Sequence, residues 1–181
     1  MDADEFWRLI DEARAECDPQ DADGEKIAAN AVDLLARLSA EEILDAHRLL
    51  EDRLVGSYVA PLWAAGYVAN GGCSDDGFEY FRGWLLTRGR EVFERAMADP
   101  DSLADVPSVR AAAESGWDLE CETTLGITRD AYEQATGGPM PDGVWQGSYP
   151  DLGGEYWFDY SDSARLAGLL PRLTALYADE G

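Results

Sequence analysis

Apolar residues recur at three- and four-residue spacing in one segment of the chain after another, and this spacing constrains the fold more than any other feature. The first such series is Phe6, Leu9, Ile10 and Ala13, which places four apolar side chains on one face of a helix. No stretch alternates apolar and polar residues over the length that a half-buried strand needs. The sequence therefore predicts an all-α protein.

Residues that cap or end helices separate these series, and they predict a single compact domain of about seven to nine helices. Ser39 and Glu42 have the spacing of a capping box, in which each side chain accepts a hydrogen bond from the other residue's backbone N–H. The segment 77–88 is apolar almost all round and predicts the central helix. Thr128 is placed to cap a later helix, and Pro171 is placed to kink or restart the last one.

Residues 137–160 are rich in glycine, proline and aromatic side chains, and they predict a long loop before a C-terminal helix at 161–181. The aromatic residues of this loop are Trp145, Tyr149, Tyr156, Trp157, Phe158 and Tyr160. A loop of this kind stacks a sugar or a nucleobase in some proteins, but more often it packs across a helical core. We expect the second arrangement.

The net charge of −23 restricts the partners that the chain can attract. We expect neither nucleic acid nor membrane as a partner, because binding to phosphate groups depends on Lys and Arg, and 14 such residues face 37 acidic ones. A DNA mimic is a minor alternative that needs carboxylates in phosphate-like rows. The acidic N-terminus is unlike a signal peptide, and no apolar run is long enough to span a membrane, so we expect a cytoplasmic protein.

Signatures of catalysis and of cofactor binding are missing from the sequence. There is no phosphate-binding glycine loop, no nucleophile elbow and no H-E-x-x-H zinc motif. Cys17, Cys73 and Cys121 lie far apart without C-x-x-C spacing and predict free structural thiols. His47, the one histidine, lies on an apolar helix face, as a histidine at the edge of the core more often does than a ligand or a base. We therefore predict no cofactor, no metal site and no catalytic residue.

The strongest candidate for a binding surface is the segment 56–100, which is nearly neutral while the rest of the chain is acidic. Its arginines alternate with aromatic residues, an arrangement that can bind a carboxylate or phosphate while a ring stacks alongside. Helical geometry places Tyr80, Trp84 and Arg88 on one face. The predicted binding residues are Trp63, Asn70, Asp75, Asp76, Tyr80, Arg82, Trp84, Arg88 and Arg90. Ordinary ion pairs between these arginines and glutamates on the same helix are the alternative explanation.

One block within this segment is specific enough to suggest a family. It reads Gly71-Gly-Cys-Ser-Asp-Asp-Gly-Phe-Glu-Tyr-Phe-Arg-Gly-Trp-Leu85 and is followed by Arg88-Gly-Arg-Glu-Val-Phe93 and Asp99-Pro-Asp-Ser-Leu103. Together with the segments 5–11 and 38–44, it resembles a bacterial DUF4240-like domain family of unknown function. The resemblance extends from residue 1 to about residue 136, and it implies no activity, cofactor or catalytic residue.

Two classes of function are compatible with these observations. The first is a non-catalytic binding or protein-interaction module, which the acidic composition and the missing catalytic signatures favour. The alternative is a small-molecule-binding protein or an enzyme with a cleft around Asp75, Asp76, Arg82 and Trp84, where two adjacent carboxylates would raise the pKa of one of them. The expected partner is accordingly a protein or a small molecule.

Overall fold

The computed structural model describes residues 1–15, 17–18, 24–152 and 162–178. Within these residues it contains ten α-helices, two 3-10 helices and no strand, so the all-α prediction is confirmed with more helices than expected. The α-helices are α1 (Ala3–Arg14), α2 (Glu25–Leu35), α3 (Ala40–Gly56), α4 (Ala60–Ala69), α5 (Asp75–Thr87), α6 (Arg90–Ala98), α7 (Pro107–Ser115), α8 (Ile127–Thr136), α9 (Ser163–Leu169) and α10 (Pro171–Leu176). The 3-10 helices are Pro100–Asp105 and Thr123–Leu125.

Side-chain caps fix the first residue of several helices. Asp2 and Glu5 form a capping box at the start of α1, and Ser39 and Glu42 form the predicted one at α3. Ser39 Oγ accepts from the Glu42 N–H at 3.3 Å, and the Glu42 carboxylate accepts from the Ser39 N–H at 2.9 Å. Ser74 caps α5 by accepting a backbone N–H at 3.1 Å. These bonds satisfy backbone donors that have no partner inside the helix.

Helix α5 lies at the centre of the molecule, as its nearly continuous apolar surface predicts. It contacts α1, α3, α4, α6 and the 3-10 helix Thr123–Leu125. Phe81 and Trp84 are fully buried, and their rings stack with centroids 5.7 Å apart. At Gly83 the neighbouring chain comes so close that a Cβ atom would collide with the Cys121 carbonyl oxygen. The backbone of α5 is therefore held from several sides.

Helices α3 and α8 pack against each other, and α2 also contacts α8. The residues that α3 buries are Ile43, Ala46, His47, Leu50 and Leu54. The residues that α8 buries are Ile127, Thr128 and Ala131. Their three- and four-residue spacing gives each helix one apolar face, and the pairing of these faces brings the one histidine of the chain against the start of α8.

The C-terminal segment, predicted as a helix at 161–181, forms two helices within its described part. α9 ends before Pro171, and Pro171 begins α10 because proline has no N–H to donate and fits the first turn of a helix. The Asp101 carboxylate caps α10 by accepting from the N–H groups of Arg172 at 3.0 Å and Leu173 at 2.9 Å. These bonds hold the C-terminal helix against the 3-10 helix that contains Asp101.

The predicted aromatic loop is described only in its first part. Residues 137–152 contain no helix, as expected, and include Trp145 and Tyr149. The other aromatic residues of the loop, Tyr156, Trp157, Phe158 and Tyr160, lie outside the described residues.

The helices share one hydrophobic core that extends from Phe6 in α1 to Leu173 in α10. Two charged side chains of α5 and its C-cap are also buried, Arg82 and Arg88. Among the described helices, none is both long enough and apolar enough to cross a membrane. The apolar faces of the helices are thus used in packing against one another.

Candidate functional site

Two titratable side chains lie one helical turn apart on α3. His47 and Glu51 are four residues apart, a spacing that places both on the same side of the helix. His47 Nε2 lies 3.7 Å from Glu51 Oε1, and only 5% of the His47 side chain and 14% of the Glu51 side chain are exposed. Helix α3 therefore presents a histidine and a carboxylate side by side.

Thr128 fixes the ring of His47. Thr128 Oγ1 lies 2.9 Å from His47 Nδ1. The prediction that Thr128 caps α8 is wrong: α8 begins at Ile127, and the Thr128 side chain is buried and bonded to His47 instead. When the hydroxyl donates to Nδ1, the proton of the neutral imidazole resides on Nε2, on the side of Glu51.

Arg129 completes the cluster from the start of α8. Its Nη2 atom lies 3.6 Å from Glu51 Oε1, and 61% of its side chain is exposed. The guanidinium therefore reaches the largely buried Glu51 carboxylate from the solvent side. A long charged side chain of this kind can move away when a ligand offers a better partner.

The surroundings shift the pKa values of His47 and Glu51 toward the uncharged forms. Burial lowers the pKa of His47 from its ordinary value of 6.5, and the charge of Arg129 lowers this pKa further. Burial raises the pKa of Glu51 from 4.5, an effect that Arg129 opposes and that Glu79 and Asp52 reinforce. At neutral pH the pair therefore consists of an uncharged imidazole and a poorly solvated carboxyl group, each able to exchange a proton or a hydrogen bond with a ligand.

These residues line a cavity of about 270 Å³, which we call the His47–Glu51 pocket. The loop after α8 forms its other wall and is tethered to α3. Arg48 Nε donates to the Val144 carbonyl at 3.2 Å, and the Trp145 indole N–H donates to Asp52 Oδ1 at 2.8 Å. The lining residues are His47, Glu51, Arg129, Met140, Pro141, Asp142, Gly143, Val144 and Trp145. The pocket thus combines a polar floor with a wall in which the apolar groups of Met140, Val144 and Trp145 lie beside the Asp142 carboxylate.

Arg82, a predicted binding residue, is completely buried between α3 and α5. Its Nη1 donates to the Leu54 carbonyl near the end of α3, and its Nε donates to the Phe78 carbonyl at 3.2 Å. Three aromatic rings have centroids 4.9 to 5.2 Å from its Cζ atom, those of Tyr58, Phe78 and Tyr149. Its Nη2 has no hydrogen-bond acceptor among the described residues and lies 4.0 Å from Glu79 Oε1. Arg82 therefore joins two helices inside the core.

The environment of Arg82 differs from the environments of Trp84, Arg88 and Arg90. Trp84 is fully buried, and the Arg88 guanidinium lies 5.2 Å from the centroid of its ring. Arg90 is half exposed and pairs with Asp4 at 2.6 Å and with Glu94 at 2.7 Å. The ordinary ion pair within the helix is therefore present for Arg90.

Trp63 and Asn70 lie at opposite ends of the last two turns of α4. Trp63 stacks on Phe78 with ring centroids 4.7 Å apart, and its indole N–H donates to the Cys73 carbonyl at 3.2 Å. Asn70 is the C-cap of α4, and its Oδ1 accepts from the Leu119 N–H at 2.9 Å. Trp63 is therefore mainly a packing residue, whereas Asn70 links the end of α4 to the segment that contains Leu119.

Asp75 and Asp76 are exposed in the first turn of α5, where the helix dipole favours negative charge. Tyr80 is half buried on the same helix, and Glu122 is the main cause of its raised pKa. The structure thus distributes the predicted residues over several places and does not gather them around one cleft. Their role in binding stays a prediction.

The comparisons with known proteins give one match. The family model described as a protein of unknown function, DUF4240, matches residues 1–134. The chain belongs to the DUF4240 family. The matched region ends close to the limit of about residue 136 that the sequence resemblance suggested. Neither the curated proteins nor the solved structures yielded a match.

The DUF4240 region supplies the polar floor of the pocket but not its loop wall. His47, Glu51 and Arg129 lie within residues 1–134, and the wall at 140–145 follows that region. The His47–Glu51 pocket therefore joins the DUF4240 region to a segment outside it.

Sequence reasoning placed His47 of this DUF4240 protein at the edge of the core, and its burial agrees with that interpretation. It did not connect His47 with Glu51 or Arg129. The four-residue spacing of His47 and Glu51 was the only signal available, and such pairs are common on helix surfaces. Arg129 comes from a distant part of the chain, so only the packing of α3 against α8 reveals the cluster.

The cysteines of the DUF4240 region form no disulfide bond. Burial raises the pKa of Cys73 to about 12 and the pKa of Cys121 to about 11. At neutral pH these two thiols are protonated and therefore poor nucleophiles. This agrees with the structural role that the sequence predicts for them.

Proposed function

We propose that this DUF4240 protein binds a small molecule in the His47–Glu51 pocket. The observation that carries the proposal is the pairing of a histidine of lowered pKa with a carboxyl group of raised pKa at the floor of a cavity. Groups with shifted pKa values concentrate at binding and catalytic sites. The reason is that binding and proton transfer require particular protonation states, which burial and neighbouring charges set.

The two charges of the floor define the polar end of the ligand. Glu51 attracts an ammonium group, and the largely exposed Arg129, which pairs with Glu51 in the structure, can turn toward a carboxylate of the ligand. Because these side chains approach within 3.6 Å, they match a zwitterion whose ammonium and carboxylate groups are close together, as in an amino acid. A volume of about 270 Å³ lies just below the roughly 300 Å³ at which cavities for drug-sized ligands begin, so it suits a ligand of amino-acid size.

The wall of the pocket defines the rest of the ligand. Met140, Val144 and Trp145 line it, and they offer a flexible thioether, an aliphatic group and an aromatic ring. The indole N–H is already bonded to Asp52, so the ring is held in place before a ligand arrives. An apolar or aromatic side chain on the zwitterion would be removed from water against this wall.

Thermal melts of the whole chain with amino acids, amines, carboxylates, nucleotides and sugars test this proposal. A ligand that binds the native state raises the melting midpoint by mass action. We expect a zwitterionic amino compound to raise the midpoint and Glu51→Gln to abolish that rise, because the amide has no charge to pair with ammonium. The matched control is Glu41→Gln, which removes an exposed carboxylate from the same helix and should keep the response. A panel without any response, or a response that survives Glu51→Gln, would contradict the proposal.

A protein-interaction module is the second candidate, and the surface charge favours it. Several exposed arginines already pair with carboxylates: Arg14, Arg48, Arg90, Arg110, Arg129 and Arg172. With a net charge of −23, the field around the protein attracts a basic partner. Affinity capture followed by direct titration of each captured protein at low and high salt tests this role. A partner whose affinity falls with salt supports it, and the absence of any direct binder contradicts it.

A further inference from the structure

A second cavity, of about 440 Å³, lies where three helices end, and it shares no residue with the His47–Glu51 pocket. The C-cap residues Asn70 of α4, Gly116 of α7 and Tyr177 of α10 all line it. Backbone carbonyl groups in the last turn of a helix have no partner inside the helix, and they form the negative end of its dipole. The ends of α4 and α7, the two longer helices, therefore attract positive charge to the cavity.

The one charged side chain in the lining of this cavity is also negative. Asp118 is exposed, and its carboxylate has no ion pair or hydrogen bond with the described residues. Burial and the nearby Asp118 carboxylate raise the pKa of Tyr177 to about 12, which places the negative charge near the end of α10. Among the described residues that line the cavity, none is Lys, Arg or His. Glu51 in the other pocket is paired with Arg129, whereas Asp118 is available to a cation from outside the chain.

An exposed tryptophan precedes Asp118 in the chain and lines the same cavity. Trp117 is 63% exposed, whereas Trp7, Trp63 and Trp84 are at most 5% exposed. Its indole has no ring contact or hydrogen bond with the part of the chain that the structure describes. The negative face of an indole attracts a cation more strongly than the ring of any other side chain. The packing of the protein thus leaves Trp117 available to a positively charged ligand.

These features favour an organic cation over a metal ion. A metal ion needs several carboxylate, imidazole or thiolate ligands, and no group of three such side chains within the described residues can hold one. A quaternary ammonium group instead packs its methyl groups on aromatic rings, and Tyr177 adds a second ring to the lining. Its methyl groups also form weak C–H···O contacts with carbonyl oxygens. We propose that this cavity binds a small molecule with a quaternary ammonium group, which lies on Trp117 and pairs with Asp118.

Saturation-transfer NMR on the whole chain with choline as the probe tests this proposal. The matched control is dimethylbutanol, the isostere in which a carbon atom replaces the charged nitrogen of choline. Sodium chloride keeps the ionic strength the same in all samples, because a strongly acidic protein attracts any cation at low salt. We expect saturable transfer to the methyl protons of choline, and an affinity at least about tenfold weaker for the alcohol. The proposal is wrong if choline does not bind or if the two affinities lie within about tenfold of each other.

Two variants then locate the bound cation. Trp117→Leu keeps an apolar side chain but removes the ring, and it should weaken the affinity for choline about threefold to thirtyfold. Asp118→Asn removes the charge and should weaken the affinity by at least about threefold. Both positions are exposed, so the melting midpoint should stay unchanged. Parent-like affinity for choline in either folded variant would overturn the assignment.

Two further variants separate this cavity from other sources of attraction. Glu114→Gln removes an exposed carboxylate close in sequence that does not line the cavity, and it should keep the parent affinity for choline. Equal losses in Glu114→Gln and Asp118→Asn would mean that choline responds only to the net charge of the protein, which contradicts the proposal. Glu51→Gln changes only the His47–Glu51 pocket, and a loss of choline affinity in that variant would place the cation there instead.

Discussion

Helices α5 and α3 each contribute a buried polar side chain to the core, but they use it in opposite ways. Arg82 on α5 is completely buried, and its guanidinium is covered by aromatic rings and donates to backbone carbonyls. His47 on α3 is buried as well, yet it lines a cavity together with Glu51 and Arg129. The sequence around Arg82, which belongs to the block that suggests the family, serves packing. The sequence around His47, which has no such motif, contributes to the pocket.

The contrast between α5 and α3 depends on Arg82 being a packing residue. Removing its side chain should therefore lower stability more than the other substitutions below do. We expect Arg82→Ala to lower the free energy of unfolding by about 3 to 5 kcal/mol. The Leu54 carbonyl would lose a donor, and the rings of Tyr58 and Tyr149 would border an empty space. Urea denaturation followed by circular dichroism measures this change.

Arg82→Lys is the control for charge, since lysine keeps the charge but has no planar fork of donors. We expect it to lose much of the same stability. A loss of stability below about 1 kcal/mol in Arg82→Ala is typical of a surface substitution. It would show that Arg82 does not stabilise the core, and it would contradict the contrast with His47.

Gly83 tests how tightly the chain packs on α5. A Cβ atom there would collide with the Cys121 carbonyl oxygen, and the Cys121 N–H is bonded to the Tyr80 carbonyl at 3.0 Å, so the segment cannot move freely. We expect Gly83→Ala to lower the free energy of unfolding by about 1 to 3 kcal/mol in the same assay.

The matched control is Gly168→Ala in α9, where a Cβ atom meets nothing within 4 Å. There the substitution should stabilise by about 0.5 to 1 kcal/mol, because alanine loses less backbone entropy than glycine in a helix. Similar effects at both glycines would show that α5 is not tightly enclosed.

Local signals in the sequence were enough to predict the fold class and many helix limits. The capping box of Ser39 and Glu42 and the restart at Pro171 depend only on neighbouring residues, and both are present in the structure. Thr128 had the same local signal for a cap, but its hydroxyl bonds to His47 on another helix. A cap prediction therefore fails where a tertiary contact competes for the same side chain.

The candidate site could not be predicted in the same way. The sequence spacing of Arg82 allowed an ion pair with Glu79 on the helix surface, and only the positions of Tyr58 and Tyr149 show that the guanidinium is enclosed. The pocket around His47 likewise depends on the packing of distant segments. Long-range contacts of this kind leave no periodic signal in a single sequence.

The pH dependence of stability tests the role of His47 on α3. Because the pKa of His47 is lowered in the native state, the unfolded chain binds a proton more readily between that pKa and 6.5. Stability should therefore fall as the pH is lowered through 6.5 toward the native pKa of His47. We expect His47→Gln to flatten this slope, by a smaller amount of free energy than the core substitutions change, in urea titrations between about pH 5 and pH 8.

Glu51 contributes a slope of opposite sign in a lower range. Its native pKa lies above 4.5, so its ionisation lowers stability as the pH rises from 4.5 through that native value. Glu51→Gln should remove this contribution without flattening the slope that His47 causes. A parent-like slope near pH 6.5 in His47→Gln would show that burial does not hold the imidazole neutral.

Arg90 should give the smallest effect, although it comes from the same arginine-rich block as Arg82. Its pairs with Asp4 and Glu94 are short, but the three side chains are about half exposed or more. Water and salt screen such pairs, and ordering the long side chains offsets much of the attraction. We expect Arg90→Ala to change the free energy of unfolding little, and less at high salt than at low salt, in the assay used for Arg82. A large loss of stability in Arg90→Ala that is the same at low and high salt would contradict the contrast between the buried Arg82 and the exposed Arg90.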